Sequence, residues 1–276
     1  TGNPGLIRKF PHIPGIDAAG KVFISKNKKF KVGEKVMVVA RPIGVKTMGG
    51  FSEYLKVPFK WVEKIPNNLS EKQSMIFGTA GFTAAKTILN FKNLSRKKKP
   101  ILISGASGGV GIFSIILLLN LGFNLTAITS RKKSKFLKKI GVSNLIFYDE
   151  FIKKSNLPLL KIKYSNMIDN TGGATITEGI KQLEKKGKIY LIGNSVNQSS
   201  EINILPFILR ENKLIGVNAE NTNYKIRKKI WKMLVSISND KKIKLTYKQC
   251  KLIQIKEIIN KFKSNSKLGR YIVKIN

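Results

Sequence analysis

The stretch Pro100-Ile-Leu-Ile-Ser-Gly-Ala-Ser-Gly-Gly-Val-Gly111, followed at once by the apolar run Ile112 to Leu121, constrains this chain more than any other feature. An apolar strand, a glycine-dense turn and an apolar helix in immediate succession are the parts that bring backbone amides and a helix N-terminus against a pyrophosphate. The glycines fall as Gly105-x-x-Gly108-x-x-Gly111 with an additional Gly109, close to but not identical with the G-x-G-x-x-G spacing of many dinucleotide sites. Glycine also serves plain turns and close helix packing, so the flanking strand and helix carry the reading. No Lys-Ser or Lys-Thr follows the glycines, and a triphosphate loop needs both the lysine and the magnesium-binding hydroxyl.

The next strand bears on which dinucleotide. About 20 positions beyond the glycines, at the end of the second strand, an acid accepts from the adenosine 2′-hydroxyl, whereas an arginine accommodates a 2′-phosphate. Here Asn124-Leu-Thr-Ala-Ile-Thr-Ser-Arg-Lys-Lys133 ends that strand without an acid. Thr129, Ser130 and Arg131 offer hydroxyls and a guanidinium instead, which favours NADPH over NADH.

At 276 residues the chain can hold one large or two ordinary domains. The run Ile112 to Leu121 is too short to span a membrane, and no signal peptide opens the sequence, so a soluble, cytoplasmic protein is expected. The balance of 52 Lys+Arg against 15 Asp+Glu, net +37, would ordinarily point to nucleic acid. The lysines are spread along the whole chain with an excess of Ile and Asn, as an AT-rich genome produces. The clusters Arg96 to Lys99, Arg131 to Lys139 and Arg227 to Lys229 lack the interleaved aromatics of a base-stacking platform, and they read as solvated faces. A nucleic-acid partner is therefore not expected, though a positive field would steer polyanionic small molecules toward a cleft. With one cysteine, Cys250, and one histidine, His12, the chain has no zinc cluster and no intrachain disulfide.

Residues 1 to about 90 read as short strands and turns, with strand character at Lys21 to Ser25, Lys35 to Ala40 and Glu53 to Val57. Ser70-Glu-Lys-Gln73 is a helix-start signal, and a second helix is expected beyond Gly81. From Pro100 the texture alternates. Strands are expected near Ile101 to Ser104, Leu125 to Thr129, Asn144 to Phe147, Asn166 to Asp169, Lys188 to Ile192 and Lys213 to Val217, with helices between them including Lys133 to Ile140 and Ala174 to Lys185. That alternation builds a doubly wound parallel sheet, an α/β fold. After a helix at about Tyr224 to Asn239, strands at Lys244 to Tyr247 and Tyr271 to Ile275 flank an amphipathic helix near Ile255 to Lys263, and the tail is expected to return to the first, strand-rich lobe.

The order of motifs resembles a known family. Pro14-Gly-Ile-Asp-Ala-Ala-Gly20, Gly49-Gly-Phe-Ser-Glu-Tyr-Leu-Lys-Val57, Gly78-Thr-Ala-Gly-Phe-Thr-Ala84 and Gly105-Ala-Ser-Gly-Gly-Val-Gly111 look like the successive signatures of zinc-independent medium-chain dehydrogenases/reductases. Within them, Pro206-Phe-Ile-Leu-Arg210 and Gly269-Arg-Tyr-Ile-Val-Lys274 resemble the acrylyl-CoA reductase branch of the quinone-oxidoreductase-like group. The resemblance implies a GroES-like catalytic lobe over 1–78, an NADP-binding Rossmann domain over 79–220, and a final segment 221–276 with the last Rossmann helix and the return to the catalytic lobe. Family members begin with a few tens of residues that have no counterpart here, including a strand and an Asn-Tyr-Lys-Asp-type motif, so the first lobe is expected to be N-terminally incomplete, either because the sequence is a fragment or because that lobe is shortened.

Carried over motif by motif, the resemblance implies that Ser107, Gly108, Gly109 and Val110 lie along the pyrophosphate and that Thr129, Ser130 and Arg131 hold the 2′-phosphate. Tyr148 matches a position on the adenosine phosphate side that is often basic in the branch. Thr83 resembles a residue beside the nicotinamide; Asn194, Ile208 and Ala219 fall at positions that close over the cofactor, Asn194 replacing a commonly apolar residue; Asn265 resembles a late contact from the tail. Asp17 and Arg270 are the candidate catalytic residues, with a turn or a mutual ion pair as their alternative. The implied activity is zinc-independent, NADPH-dependent reduction of the carbon–carbon double bond of a short enoyl-CoA, acrylyl-CoA to propionyl-CoA, by an enzyme compatible with a homodimer. Two alternatives stay open: a quinone or enone reductase, and a catalytically silent basic NADP-binding protein that associates with RNA.

Overall fold

Glycine and proline punctuation leaves residues 10–70 room for short strands only. The structure is a computed structural model that describes residues 10–91, 99–263 and 268–275. Strand β1 (Ala18–Lys21) pairs antiparallel with β2 (Lys35–Val38) in the register Ala18↔Val38, and β2 pairs with β3 (Glu63–Lys64). Two expectations are corrected here. The first strand lies at Ala18–Lys21 rather than Lys21 to Ser25: the ladder ends at Lys21, and Phe23 and Ile24 project into solvent despite their β-propensity. Residues 53–57 form no strand ladder; Ser52 Oγ donates toward the carbonyls of Gly49 (3.2 Å) and Tyr54 (2.8 Å), and such local bonds compete with strand pairing.

Helix α1 (Glu71–Ile88) starts where Ser70 and Gln73 form a capping box: Gln73 N–H donates to Ser70 Oγ at 3.1 Å and Ser70 N–H to Gln73 Oε1 at 2.9 Å. The helix breaks at Gly78 (φ 46, ψ −155) rather than beyond Gly81. A Cβ at Gly78 would collide with the carboxylate of Asp17 and come within 2.5 Å of Arg270 Nη2, so only glycine fits.

The alternating region follows: β4 (Ile101–Ile103), α2 (Gly109–Asn120), β5 (Leu125–Thr129), α3 (Arg131–Ile140), β6 (Asn144–Phe147), α4 (Tyr148–Phe151), β7 (Met167–Asp169), α5 (Ala174–Ile180), β8 (Lys188–Leu191), α6 (Leu205–Arg210) and β9 (Lys213–Gly216). All six strands are parallel in the order β6-β5-β4-β7-β8-β9, the doubly wound order with its switch point between β4 and β7. Strands β4, β5 and β7 are buried at every position, as a sheet covered on both faces requires. Leu102, Ile128, Met167, Ile176, Ile180 and Ile189 share one core cluster. Helix α5 stops at Ile180, short of the expected Lys185, because Leu183 is drawn into a bridge with Tyr164.

Helix α7 (Tyr224–Ser236) is capped by Asn223, whose side chain accepts from Ile226 N–H, and it buries Arg227, Ile230, Trp231 and Leu234, one face at helical spacing. The expected strand at Lys244 to Tyr247 is instead a 3-10 turn over Lys241–Leu245, capped by Asp240; strand β10 (Tyr247–Lys251) begins at its end. Helix α8 (Ile255–Lys263) follows, and β11 (Arg270–Lys274) pairs parallel with β10. By packing, Thr83–Asn218 form one unit, and the described residues up to Phe82 form another with those from Ala219. By packing, helix α7 groups with the latter unit: its Arg227 pairs with Glu63 and donates to the carbonyl of Val39 at 2.6 Å. Among the described residues no helix is long and apolar enough to cross a membrane.

Candidate cofactor site

Strands β4 and β5 lie side by side, so the loops at their C-terminal ends share one edge of the sheet, where open α/β sheets bind ligands. After β4 the chain turns through Gly105 (φ 56) and enters α2 with Gly108 as N-cap and no side chain capping the helix. The first-turn amides of Gly109, Val110 and Gly111 have no intrahelical acceptor by construction, and beside the helix dipole they favour an anion. A Cβ at Gly111 would stand 2.5 Å from the carbonyl oxygen of Gly105 and 2.7 Å from Ala106 Cα; the turn closes this tightly only on glycine. Ser107 is buried within it.

At the end of β5, Thr129 is buried, Ser130 is the N-cap of α3 and its hydroxyl caps nothing, and Arg131 opens the helix. The Arg131 guanidinium lies 4.1 Å from the centre of the Phe147 ring, and its Nη2 donates to Glu150 Oε1 at 2.7 Å, with Asp149 Oδ2 at 3.7 Å. Lys133 is part-buried in the same first turn, and burial lowers its pKa below the ordinary lysine value. A hydroxyl that caps nothing, an uncapped helix start and a guanidinium on adjacent residues are groups suited to attract an anion.

The loop after β7 supplies the opposite wall of the switch point. Asp169 is fully buried, and its carboxylate accepts from Ser104 Oγ (2.5 Å), Thr175 Oγ1 (2.8 Å), Gly172 N–H (2.7 Å) and Thr171 N–H (3.3 Å). Ser104, the residue before the glycine turn, in turn accepts from Asn170 N–H (2.9 Å), and Asn170 Nδ2 donates to the Ser104 carbonyl (2.8 Å). Sequence reading passed over this network. Its signal was an acid ending an otherwise apolar strand, a charge that burial penalises unless donors surround it.

Of the remaining candidates, Asn194 is exposed in the loop after β8, with its Cα 3.6 Å from where a Cβ on Gly172 would stand, so it borders the same loops. Tyr148 packs its ring against the core of the sheet. Thr83 is buried in α1, and Ile208 is exposed on α6. Ala219, Asp17 and Arg270 belong to the other unit, where Arg270 Nη2 donates to Asp17 Oδ2 at 3.3 Å. Asn265 lies outside the described residues.

A family model described as the alcohol dehydrogenase GroES-like domain matches residues 2–67, and one described as zinc-binding dehydrogenase matches residues 109–236. The chain is 31% identical over 274 residues to YhfP of Bacillus subtilis, named for quinone oxidoreductase activity, covering 98% of this chain and 83% of that protein. It is also 31% identical over 279 residues to "Probable acrylyl-CoA reductase AcuI" of Escherichia coli K12, covering 100% and 86%. Two crystal structures superimpose over almost the whole chain: E. coli YhdH with bound NADPH (TM-score 0.95, 31% identity, 100% of this chain and 86% of that one) and B. subtilis yhfP with NAD bound (0.92, 30%, 98% and 84%).

The glycine turn with its uncapped α2 fits a dinucleotide diphosphate. Among the described residues no three His, Cys, Asp or Glu side chains gather as a metal-ligand set, and Cys250 is buried in β10 with Sγ 3.6 Å from the Ile272 carbonyl.

Proposed function

Because the chain belongs to the medium-chain dehydrogenase/reductase family, in the branch of AcuI and YhfP, we propose that it is an NADPH-dependent oxidoreductase that reduces the carbon–carbon double bond of a short enoyl-CoA such as acrylyl-CoA. The observation that carries the choice of NADPH is the start of α3, where Ser130, Arg131 and uncapped amides stand together and no acid ends β5. When bound, the cofactor would supply a hydride for the β-carbon of such a substrate, whose α-carbon would take a proton. Ser107, Gly108, Gly109 and Val110 would hold the diphosphate by backbone and hydroxyl donors; Thr129, Ser130 and Arg131 would hold the 2′-phosphate; Thr83, Asn194 and Ile208 would flank the cofactor. Such a reaction needs fixed donors where the thioester oxygen gains enolate-like charge. Asp17 and Arg270 engage each other, which supports a framing role for them rather than acid–base work.

Steady-state rates with acrylyl-CoA and with a simple quinone, each with NADPH, test the substrate class. Faster turnover of acrylyl-CoA is expected; equal or faster quinone turnover would replace this reading with a quinone or enone reductase, the reading that the equal identity to YhfP keeps as the second one. Binding of NADPH with no turnover on any enone would leave a silent NADP-binding protein.

A further inference from the structure

We infer that Glu150 is a positioning residue for Arg131 and, through it, sets how strongly the protein prefers a phosphorylated adenosine ribose. The inference rests on the assignment of Arg131 to the 2′-phosphate.

Arg131 is 63% exposed, and a free side chain of that length would lose substantial rotamer entropy on clasping a phosphate. It is not free. Register pairing sets Thr129 opposite Phe147, so the guanidinium two residues after Thr129 reaches the Phe147 ring at 4.1 Å. Glu150 then holds one corner of the fork, Nη2, at 2.7 Å, and Asp149 stands farther from the same nitrogen at 3.7 Å. A guanidinium carries five N–H donors in a rigid plane, so a stack on one face and an acceptor at one corner fix the plane while other donors still point outward. Tyr148, where a second basic residue would strengthen the site, is packed against the core, so β6–α4 adds no cation beside Arg131.

The same carboxylates could act in the opposite sense, by repelling a dianionic phosphate. Glu150 is 48% exposed and Asp149 68%, so water and salt screen that repulsion, as they screen the Glu150–Arg131 pair itself, while the Phe147 stack does not depend on ionic strength. Positioning and repulsion differ in sign, so binding measurements separate them.

The experiment is equilibrium titration of the full chain with NADPH and with NADH, followed by cofactor fluorescence, for wild type, Glu150→Ala, Glu150→Gln, Arg131→Ala and the double variant Arg131→Ala/Glu150→Ala. Glu150→Ala is expected to weaken NADPH about 3- to 10-fold and NADH less than about 2-fold, while Glu150→Gln, which keeps an acceptor for Nη2, retains most of the preference. In the Arg131→Ala background the Glu150→Ala change is expected to do nothing further, the signature of action through Arg131. Tighter NADPH binding by Glu150→Ala, equal weakening of both cofactors, no change, or full effect in the Arg131→Ala background would each overturn the inference. A wild-type protein with no preference for NADPH would instead overturn the assignment of Arg131 itself.

Discussion

Asp17 and Arg270 lie 253 positions apart in the chain and meet at 3.3 Å, with the N–H and hydroxyl of Thr79 donating to the same carboxylate (2.9 and 2.6 Å). The pair ties the β1 strand entry, the kink of α1 and the start of β11 into one unit. Only glycine at position 78 leaves room for it.

Removing the carboxylate strands a largely buried guanidinium and two Thr79 donors. Asp17→Ala is expected to cost about 2–3 kcal/mol. Gly78→Ala should cost a similar amount, since the new methyl displaces the pair and sits at positive φ. Denaturant unfolding of both variants checks this, and a loss below about 0.5 kcal/mol in Asp17→Ala would show that the pair is a solvated contact.

Arg131→Ala removes the one guanidinium at the end of β5. NADPH should bind about 10- to 100-fold more weakly, as expected for loss of hydrogen bonds to a charged group, and NADH about equally well. Isothermal titration with each cofactor measures both numbers.

How much was legible in the sequence depends on range. The glycine turn and strands β4, β5 and β7 could be read because buried strands are continuous apolar runs and the turn needs glycine locally. The capping box at Ser70 and Gln73 is equally local. What escaped is long-range or competitive. Phe23 and Ile24 have strand propensity but no partner strand, so β1 ends before them. The break in α1 moved from Gly81 to Gly78 because the deciding contacts come from Asp17 and Arg270, which no window of sequence near the helix contains. In the candidate site, Arg131 was visible but its clasp by Phe147 and Glu150 was not, since strand register decides which residue faces it.

Asp169 is surrounded by donors, so a side-chain amide cannot replace it without opposing one donor to another. Asp169→Asn is expected to destabilise by about 2–3 kcal/mol, and Ser104→Ala, which deletes a single hydroxyl, by about 1 kcal/mol. Because Ser104 leads into the glycine turn, weaker NADPH binding should accompany the loss. Chemical denaturation with and without NADPH separates the two effects: a variant stabilised by the cofactor as much as wild type would show that the network supports the sheet and not the turn.

Alkaline stability should turn on Tyr190. Its side chain is buried in β8 against Phe91, ring centres 5.1 Å apart, and burial pushes the phenol from 10.0 up to about 12. The folded protein thus holds this proton more tightly than the unfolded chain, so the contribution is intact below the unfolded pKa and is lost as pH rises toward the folded one. Stability should fall by about 2–3 kcal/mol from about pH 10 to about pH 12 on account of this group, with Tyr164, also raised by burial, acting in the same direction. Tyr190→Phe keeps the ring and removes the ionisation. Urea unfolding across that range should show a shallower decline in the variant than in wild type; parallel declines would mean that the lysine-rich surface losing its charge, and not the buried phenol, governs alkaline unfolding.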